Sequence, residues 1–540
     1  MRRSTPILLI VAAFFTSGAF ASSDNGRQLF ESRCDKCHPL ERALIKSKTL
    51  EEWKKTTLRM SNYSGGVIPV KEAEEIAVFL AGREPMKTAA VEKEDTEKTP
   101  DEALFNFNKV RLEQFIKPEV CAECHPAIFR QWKGSMHSKA FADPLWRAAT
   151  KLFFKEVTTD DQIMEMKACV KCHTPLGFRS GSITSPAEDY DRLAELPAQG
   201  IFCNWCHNIS EVKHLGDAGY EVKPGGGEDE PSTMLGPLKD ADSPYHPTKY
   251  SELHTKSDFC GLCHNVSHAG NHIPIEQTYN EWKNSPYNTG NPKTTVHCQD
   301  CHMRQRPWVP ATGKTQRPDN PGKVCEMGPV REHVWTHYFV GGNAIITKVL
   351  GSAIHAEMAV ERLQNAADLE IIKESSYTKN ELSHIRVKVI NSGAGHYLPT
   401  GLTEVRQMWL AVNITDAKGK TLLRSGDLDV KGDIDPNAVI YHTKLGNEKG
   451  AVLNVALADR ILYDHRIPPK GYLIESYAFH IPGDAVSPLN VEVTLKYRSA
   501  SQELAKTLLG DNAPQVPVIE MAGVTEKIPI KKERSQEGMK

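Results

Sequence analysis

The stretch Cys121-Ala122-Glu123-Cys124-His125 is a C-x-x-C-H motif, and it organises the fold because the same pattern recurs six times in the chain. The six copies use twelve of the thirteen cysteines. The other five copies are Cys34-Cys37-His38, Cys169-Cys172-His173, Cys203-Cys206-His207, Cys260-Cys263-His264 and Cys298-Cys301-His302. Two thiols at this spacing can form thioethers to one haem, and the adjacent imidazole then reaches the iron.

Two other uses of paired cysteines compete with this interpretation. C-x-x-C pairs also bind structural zinc, and cysteines of exported proteins commonly form disulfides. Neither use explains a histidine directly after the second cysteine in all six copies. We therefore predict six covalently bound haem c groups, with the twelve motif cysteines as attachment residues. The predicted proximal iron ligands are His38, His125, His173, His207, His264 and His302.

The start of the chain has the pattern of a secretory signal peptide. Residues 1–21 combine Arg2 and Arg3 with an apolar run and end in the small-residue sequence Ala19-Phe20-Ala21. A membrane anchor is the alternative, but the apolar run is shorter than the ~20 residues that a span needs. We predict a periplasmic protein with no membrane span in the mature chain; an extracellular or outer-membrane-associated location is the alternative.

Composition limits the partners. The formal net charge is -2 and the sequence pI is near 6.9, so no basic surface indicates nucleic-acid binding. Haem propionates would make the loaded protein more acidic still, and an acidic surface attracts basic partners at low salt. The expected partners are redox proteins, either other cytochromes or a quinol-oxidising complex.

At 540 residues the chain is long for one core and is predicted to divide into domains. Residues 22–84 hold one motif and resemble a short class I cytochrome c, because Trp53 and Met60 have its W-x6-M spacing. This resemblance implies Met60 as the distal ligand; ordinary core packing of the methionine is the alternative. Residues 85–108 are a charged linker. The helices predicted in this first module run from Asn25 to Cys34, from Leu50 to Met60 and from Lys71 to Leu80.

Residues 109–368 contain the other five motifs and form the predicted multihaem domain. Residues 110–345 of this domain resemble the multihaem cytochromes of the hydroxylamine oxidoreductase and pentahaem nitrite reductase class. The resemblance rests on several stretches: Trp132-Lys133-Gly134-Ser135-Met136-His137, Gly200-Ile201-Phe202-Cys203, Gly236-Pro237-Leu238, Phe259 to Asn265, Cys298 to Met303 and Arg331 to Asn343. It implies closely stacked haems, most of them with two histidine ligands. The preferred distal ligands are His137, His254, His337 and His246, with His214, His268, His272, His297, His333 and His355 in reserve.

A weak internal repeat qualifies this ligand set. The stretch from Gln131 to His137 aligns with the stretch from Glu281 to Tyr287, so that a tyrosine replaces the candidate ligand His137. In one interpretation the second copy only packs. In the other, Tyr287 lies near a haem with an open sixth position, which small-molecule chemistry at iron requires.

In the last part of the chain, the spacing of apolar residues changes from a helical period to a period of two residues. One helix is predicted from Ile346 through Leu363. From 369 to 530, alternation such as that of Ile385, Val387 and Val389 predicts an antiparallel β-sandwich. The segment from Asn391 to Gly401 resembles one in sandwich domains fused to multihaem cytochromes, and its His396 either reaches a haem or makes a structural hydrogen bond. Residues 531–540 are a solvated tail.

The leftover Cys325 is either a buried, inert thiol or a reactive one. Overall the sequence predicts a multidomain protein with a small all-α cytochrome c module, a mainly α and irregular multihaem domain and a C-terminal antiparallel β-sandwich. The predicted function is single-electron transfer between redox partners in a respiratory chain. The alternative is a multihaem oxidoreductase acting on a small nitrogen or sulfur compound at one haem with an open coordination site. No catalytic side chain is predicted.

Overall fold

The structure is a computed structural model that describes residues 25–34, 43, 48–63, 68–83 and 107–531. The chain forms two compact units, Met1–Glu97 and Lys98–Lys540. The predicted signal peptide, Cys37, His38, most of the linker and nearly all of the tail lie outside the described residues. No helix in the described part of the chain is long and apolar enough to cross a membrane.

The described part of the first unit is helical, as the sequence predicts. Residues 25–29 are helical and continue into the π-helical turn Phe30–Cys34; two further helices are Leu50–Tyr63 and Val70–Gly82. Phe30 and Trp53 are almost fully buried in a core that also contains Ile76. Both Cys34 and Met60 pack against this core.

Short helices dominate the part of the second unit that carries the five motifs. Most begin at a proline or a capping side chain, and few exceed two turns, because closely spaced motifs and turns leave little room for longer elements. The helices are Pro118–Ala122, Pro126–Lys133, Met136–Lys139, Pro144–Phe154, Asp160–His173, Pro175–Arg179, Glu195–Ala198, Cys203–Cys206, Ser257–Gly261, Thr278–Lys283 and Cys298–His302.

Four two-stranded pairs lie among these helices, between Ile209 and Arg331. Three pairs are antiparallel, and the pair of Met234–Gly236 with Thr248–Tyr250 is parallel. The antiparallel pairs are Ile209–Val212 with Tyr220–Val222, Val266–Ser267 with Pro274–Glu276, and Gly322–Lys323 with Val330–Arg331.

The single helix predicted from Ile346 through Leu363 is wrong, because the structure has two helices, Ile346–Val349 and Ala353–Gln364. Gly351, which lies between them, has φ +89°. A right-handed helix cannot continue through that conformation, which glycine adopts at little cost. The helical spacing of apolar residues continues across the break, so this spacing alone predicts one helix. Gly351 is the residue of the sequence that indicates the break.

The C-terminal β region, defined here as the elements from Asp368 to Lys531, is built on two antiparallel sheets. The three-stranded sheet has the order Tyr472–His480, Leu382–Ile390, Asp368–Ile372. The larger sheet has the order Thr421–Ser425, Gln407–Thr415, Leu489–Arg498, Ile519–Ile528, and Ile440–Tyr441 pairs with its second strand. A smaller sheet contains Gly450–Ala451, Thr443–Asn447 and Arg460–Asp464, Tyr377–Thr378 pairs with Ile530–Lys531, and one helix is Gln502–Leu509.

One apolar core joins the two larger sheets. Ile385, Val387 and Val389 are fully buried, as their alternation predicts, and they belong to the same cluster as Leu410 and Val493 of the other sheet. The helix Ala353–Gln364 contributes to this cluster through two further side chains, Met358 and Leu363. The motif-bearing region and the β region are therefore packed together by a shared core.

Candidate functional site

A single cavity of about 1880 Å³ lies inside the second unit and is lined by all five of its motifs. Ordinary small-molecule pockets have volumes of about 300–1,000 Å³, so this cavity is larger than one ligand needs. Its lining is mostly apolar. The motif residues in its wall are Cys121, Cys124, His125, Cys169, Cys172, His173, Cys203, Cys206, His207, Cys260, Cys263, His264, Cys298, Cys301 and His302.

Each motif is built as a helical turn. In three motifs the histidine N–H donates to the carbonyl of the first cysteine at 2.9–3.0 Å, a bond that spans four residues. Residues three and four apart lie on one face of such a turn, so both thiols and the imidazole point to the same side. The three bonds are His125 to Cys121, His207 to Cys203 and His264 to Cys260.

The proximal histidines are oriented by backbone carbonyls. In four of the five motifs the Nδ1 atom lies 2.6–2.9 Å from a carbonyl oxygen, and a carbonyl can only accept. Nδ1 must therefore carry the proton, which leaves Nε2 free with its lone pair, the arrangement typical of a metal-ligating histidine. The pairs are His125 with Val324, His173 with Ala140, His207 with Leu235, and His302 with Val340.

Three proximal histidines face a second imidazole across the cavity. Metal–imidazole bonds are about 2 Å long, so two imidazoles on opposite sides of one iron have ring centres about 6 Å apart. The observed distances between ring centres are 6.4 Å for His125 and His246, 6.2 Å for His264 and His137, and 6.5 Å for His302 and His396. Both the cavity and this spacing fit haem.

Two predicted ligands lie near His207. The ring centre of His254 is 5.6 Å from that of His207, but its Nε2 lies 3.3 Å from the carbonyl of Cys206. His337 pairs Nδ1 with the carbonyl of Trp335 at 3.0 Å, and its Nε2 forms no hydrogen bond with the described part of the chain. Burial, and then the nearby His207, lowers the pKa of His337 to about 3, so the imidazole is neutral, as a ligand must be.

The site of His173 differs from the others. The indole of Trp146 stacks on the His173 ring, with ring centres 4.2 Å apart and planes 7° from parallel. Among the residues that the structure describes, no second histidine ring faces His173 at the spacing seen for the three pairs above. Aromatic side chains, including Phe153, line the cavity in this region.

Most of the reserve histidines are engaged or exposed. His355 bonds Ser352 through Nδ1 and the carbonyl of Gln131 through Nε2. His268 is likewise paired through both nitrogens, to backbone groups. The others are His297, which accepts from Ser257 N–H, His333, which accepts from Asn320 N–H, and the exposed His214 and His272.

The internal repeat is visible in the geometry. Trp132 and Trp282 are both buried, and each indole N–H donates to a backbone carbonyl at 2.8 Å. His137 in the first copy faces His264. Tyr287 in the second copy is buried against Trp282 and lines the cavity, and its hydroxyl has no hydrogen-bond partner among the described residues.

Motifs that are distant in the chain lie next to one another, which shows which sites are neighbours. The helix Pro118–Ala122 contacts the helix Cys203–Cys206, and the helix Ser257–Gly261 contacts the helix Cys298–His302. Cys172 and Cys263 pack against the same apolar core. The motif at 260–264 is therefore a neighbour of the motifs at 169–173 and 298–302, and the motif at 121–125 is a neighbour of the one at 203–207. No disulfide forms among the described cysteines, and Cys325 is a half-buried free thiol.

Two buried charged groups adjoin the motifs. Arg362 donates to the carbonyl of Cys301 at 2.7 Å, and burial lowers its pKa to about 10, so it stays cationic at neutral pH. Glu165, one turn before Cys169, accepts the N–H of Ala269 at 2.7 Å. Burial raises the pKa of Glu165 to about 7.

Comparisons with known proteins agree with this geometry. The family model described as cytochrome c554 and c-prime matches residues 120–208. In structure the chain is similar to a penta-heme cytochrome c552 from Thermochromatium tepidum, at 21% identity and a TM-score of 0.51, over 77% of this chain and 99% of that chain. At that identity the likeness shows the fold alone.

Other comparisons add little. A CARDB domain from Pyrococcus furiosus is 13% identical over 31% of this chain and 87% of that chain, and its TM-score of 0.14 carries no argument. No curated protein matches the chain. The family match, the fold and the motifs together support a multihaem c-type cytochrome with covalently bound haem c, a class whose members transfer electrons.

Proposed function

We propose that this chain is an exported hexahaem cytochrome that passes single electrons between redox partner proteins in a respiratory chain. The observation that carries the proposal is the packing of neighbouring motifs against one another around one cavity. Haem c bound at these motifs supplies a one-electron iron couple. Neighbouring motifs in contact place successive redox centres close together, as a conduit requires.

The direction of transfer depends on the first unit. Met60 and Cys34 both pack against the core of the first unit, and the sequence predicts Met60 as the distal ligand. Histidine–methionine ligation raises a haem potential relative to two histidines. The first unit would then be the high-potential end, and electrons would leave the five-motif region through it.

A redox titration of the full-length holoprotein tests this direction. The variant Met60→His should lower the highest midpoint potential and leave the others in place. Leu58→His is the matched control, because Leu58 lies on the same helix as Met60, is 44% exposed and should change no potential. If the highest potential belongs to a haem of the second unit and Met60→His does not move it, the proposed direction is wrong.

The His173 site favours a second candidate, an oxidoreductase that acts on a small nitrogen or sulfur compound. Its imidazole is oriented by Ala140 and covered by Trp146, yet no histidine ring faces it among the described residues. Spin-resonance spectra of the oxidised protein, with nitrite, hydroxylamine or sulfite as probes, discriminate. One high-spin iron that responds to a probe supports the enzyme, whereas low-spin iron at every site supports the conduit alone.

A further inference from the structure

The two copies of the internal repeat use the residue before the tryptophan in the same way. In the first copy, the side-chain oxygen of Gln131 accepts the backbone N–H of His337 at 2.8 Å. In the second copy, Glu281 Oε2 accepts the backbone N–H of Tyr397 at 3.1 Å. Each side chain therefore fixes a distant backbone segment, and each segment carries a histidine that lines the cavity, His337 in one case and His396 in the other.

The segment fixed by Glu281 lies where the second copy has lost its histidine. A Cβ placed on Gly395 would be 3.6 Å from the ring of Tyr287 and 3.7 Å from that of Trp282. The backbone of Gly395 therefore packs directly on the repeat. The next residue, His396, faces His302 with a ring-centre distance of 6.5 Å and an interplanar angle of 26°.

The imidazole of His396 is in the form that a ligand needs. Its Nδ1 lies 2.8 Å from the carbonyl of Tyr397, so Nδ1 carries the proton and Nε2 keeps its lone pair. The opposite imidazole, His302, is oriented in the same way by Val340. The two Nε2 lone pairs are thus both available at this site.

We infer that His396, from the C-terminal β region, is the sixth iron ligand at the His302 site, and that Glu281 is its positioning residue. The β region supplies the imidazole that the second copy of the repeat lacks, because Tyr287 stands at the position of His137. It thereby completes a metal site of the motif-bearing region. This inference concerns coordination alone and does not depend on the direction of electron flow or on the redox partners.

The contacts around Glu281 hold the loop that carries His396. Thr400 Oγ1 donates to Glu281 Oε2 at 2.6 Å, and Arg466 forms an ion pair with the other carboxylate oxygen. Arg466 also pairs through Nε with Asp464 at 3.0 Å. A buried carboxylate is costly unless it is paired and hydrogen-bonded, so this network stabilises one position of the loop relative to the helix Thr278–Lys283.

The loop is also closed from within the β region. Asn391 Nδ2 donates to the carbonyl of His396 at 2.8 Å, and Asn391 Oδ1 accepts the N–H of Ala394 at 3.0 Å. Asn391 is fully buried. The backbone on both sides of His396 is therefore fixed, by Asn391 on one side and by Glu281 on the other, which leaves the imidazole little freedom to move away from His302.

The test counts low-spin haems in the oxidised holoprotein by spin resonance. His396→Ala should convert one low-spin haem per chain to high-spin, and added imidazole should restore it. His480→Ala is the matched control, because His480 is an exposed histidine of the same β region. An unchanged low-spin count in His396→Ala with full haem content would overturn the inference.

Three further variants keep the inference testable if the alanine protein does not accumulate. His396→Met should retain a six-coordinate site and raise one midpoint potential. A His396→Met protein with all potentials unchanged would again contradict the inference.

Glu281→Ala should leave the haem content intact and give a mixture of spin states that imidazole titrates to low spin. Glu281→Gln should stay low-spin, because its amide oxygen can still accept the N–H of Tyr397. Equal spectra for both Glu281 variants and the wild type would remove Glu281 as a positioning residue.

Discussion

Replacing Glu165 with glutamine should change how the stability of the protein depends on pH. Glu165 is 3% exposed, and the hydrogen bond that its carboxylate accepts from Ala269 N–H only partly offsets the cost of burying a charge. Burial raises its pKa from the usual 4.5 to about 7. A tenfold change in an equilibrium constant is worth about 1.4 kcal/mol, so full ionisation of Glu165 in the folded protein costs about 3 kcal/mol.

The sign follows from proton binding. Between pH 4.5 and 7 the unfolded chain has released the Glu165 proton while the folded protein keeps it, so the folded state binds more protons and its stability falls as pH rises. The stability that this group contributes is complete below the unfolded pKa and is lost once pH passes about 7. Glutamine cannot ionise, so the variant should gain up to about 3 kcal/mol relative to wild type between pH 5 and pH 8.5.

Denaturant unfolding of the holoprotein at pH 5 and pH 8.5, followed by far-ultraviolet circular dichroism, measures this difference. The matched control is Glu520→Gln, which removes an exposed carboxylate and should shift stability equally at both pH values. If Glu165→Gln changes stability by the same amount at pH 5 and pH 8.5, the carboxyl does not titrate in this range and the burial argument fails.

Two further predictions concern the framework around the motifs. Trp205→Ala should lower the free energy of unfolding by about 3–5 kcal/mol, because Trp205 is 1% exposed, stacks on Phe115 and donates to Tyr220. The control is Trp308→Ala, at a site 79% exposed, which should change that free energy by no more than about 0.5 kcal/mol. Denaturant unfolding measures both. Thr159→Ala should lower the free energy of unfolding by about 1 kcal/mol, because Thr159 caps the helix Asp160–His173 in a reciprocal capping box. Thr159→Ser should retain most of this free energy, and equal losses in both variants would contradict the capping role.

Local patterns made much of the architecture predictable. The helices of the first unit follow apolar spacing, and the alternation at Ile385, Val387 and Val389 places a buried face correctly. The five C-x-x-C-H motifs of the second unit each form one helical turn. These features depend on residues within a few positions of one another, so a sequence contains the information directly.

The partners of the motif histidines were harder to predict because they are distant in the chain. Nothing local to His125 indicates that its Nδ1 meets the carbonyl of Val324. His396 was named only as an option, since one histidine in a β loop is more often structural. The signal that could have found it is the repeat itself: a copy that loses its histidine at Tyr287 needs a replacement from elsewhere.

The residues that attach a haem are therefore close together in the sequence, whereas the facing histidine that coordinates its iron is distant in the sequence. The two cysteines and the histidine of a motif lie within one helical turn, so they are already neighbours before the chain folds. A facing histidine, such as His246 for His125 or His396 for His302, must be brought in across a long loop, and closing that loop costs entropy. Buried hydrogen bonds that fix the incoming backbone, such as those of Gln131 and Glu281, offset part of that cost. The position of a facing histidine consequently depends on whether its distant segment has packed into place. The geometry of a motif depends only on local structure.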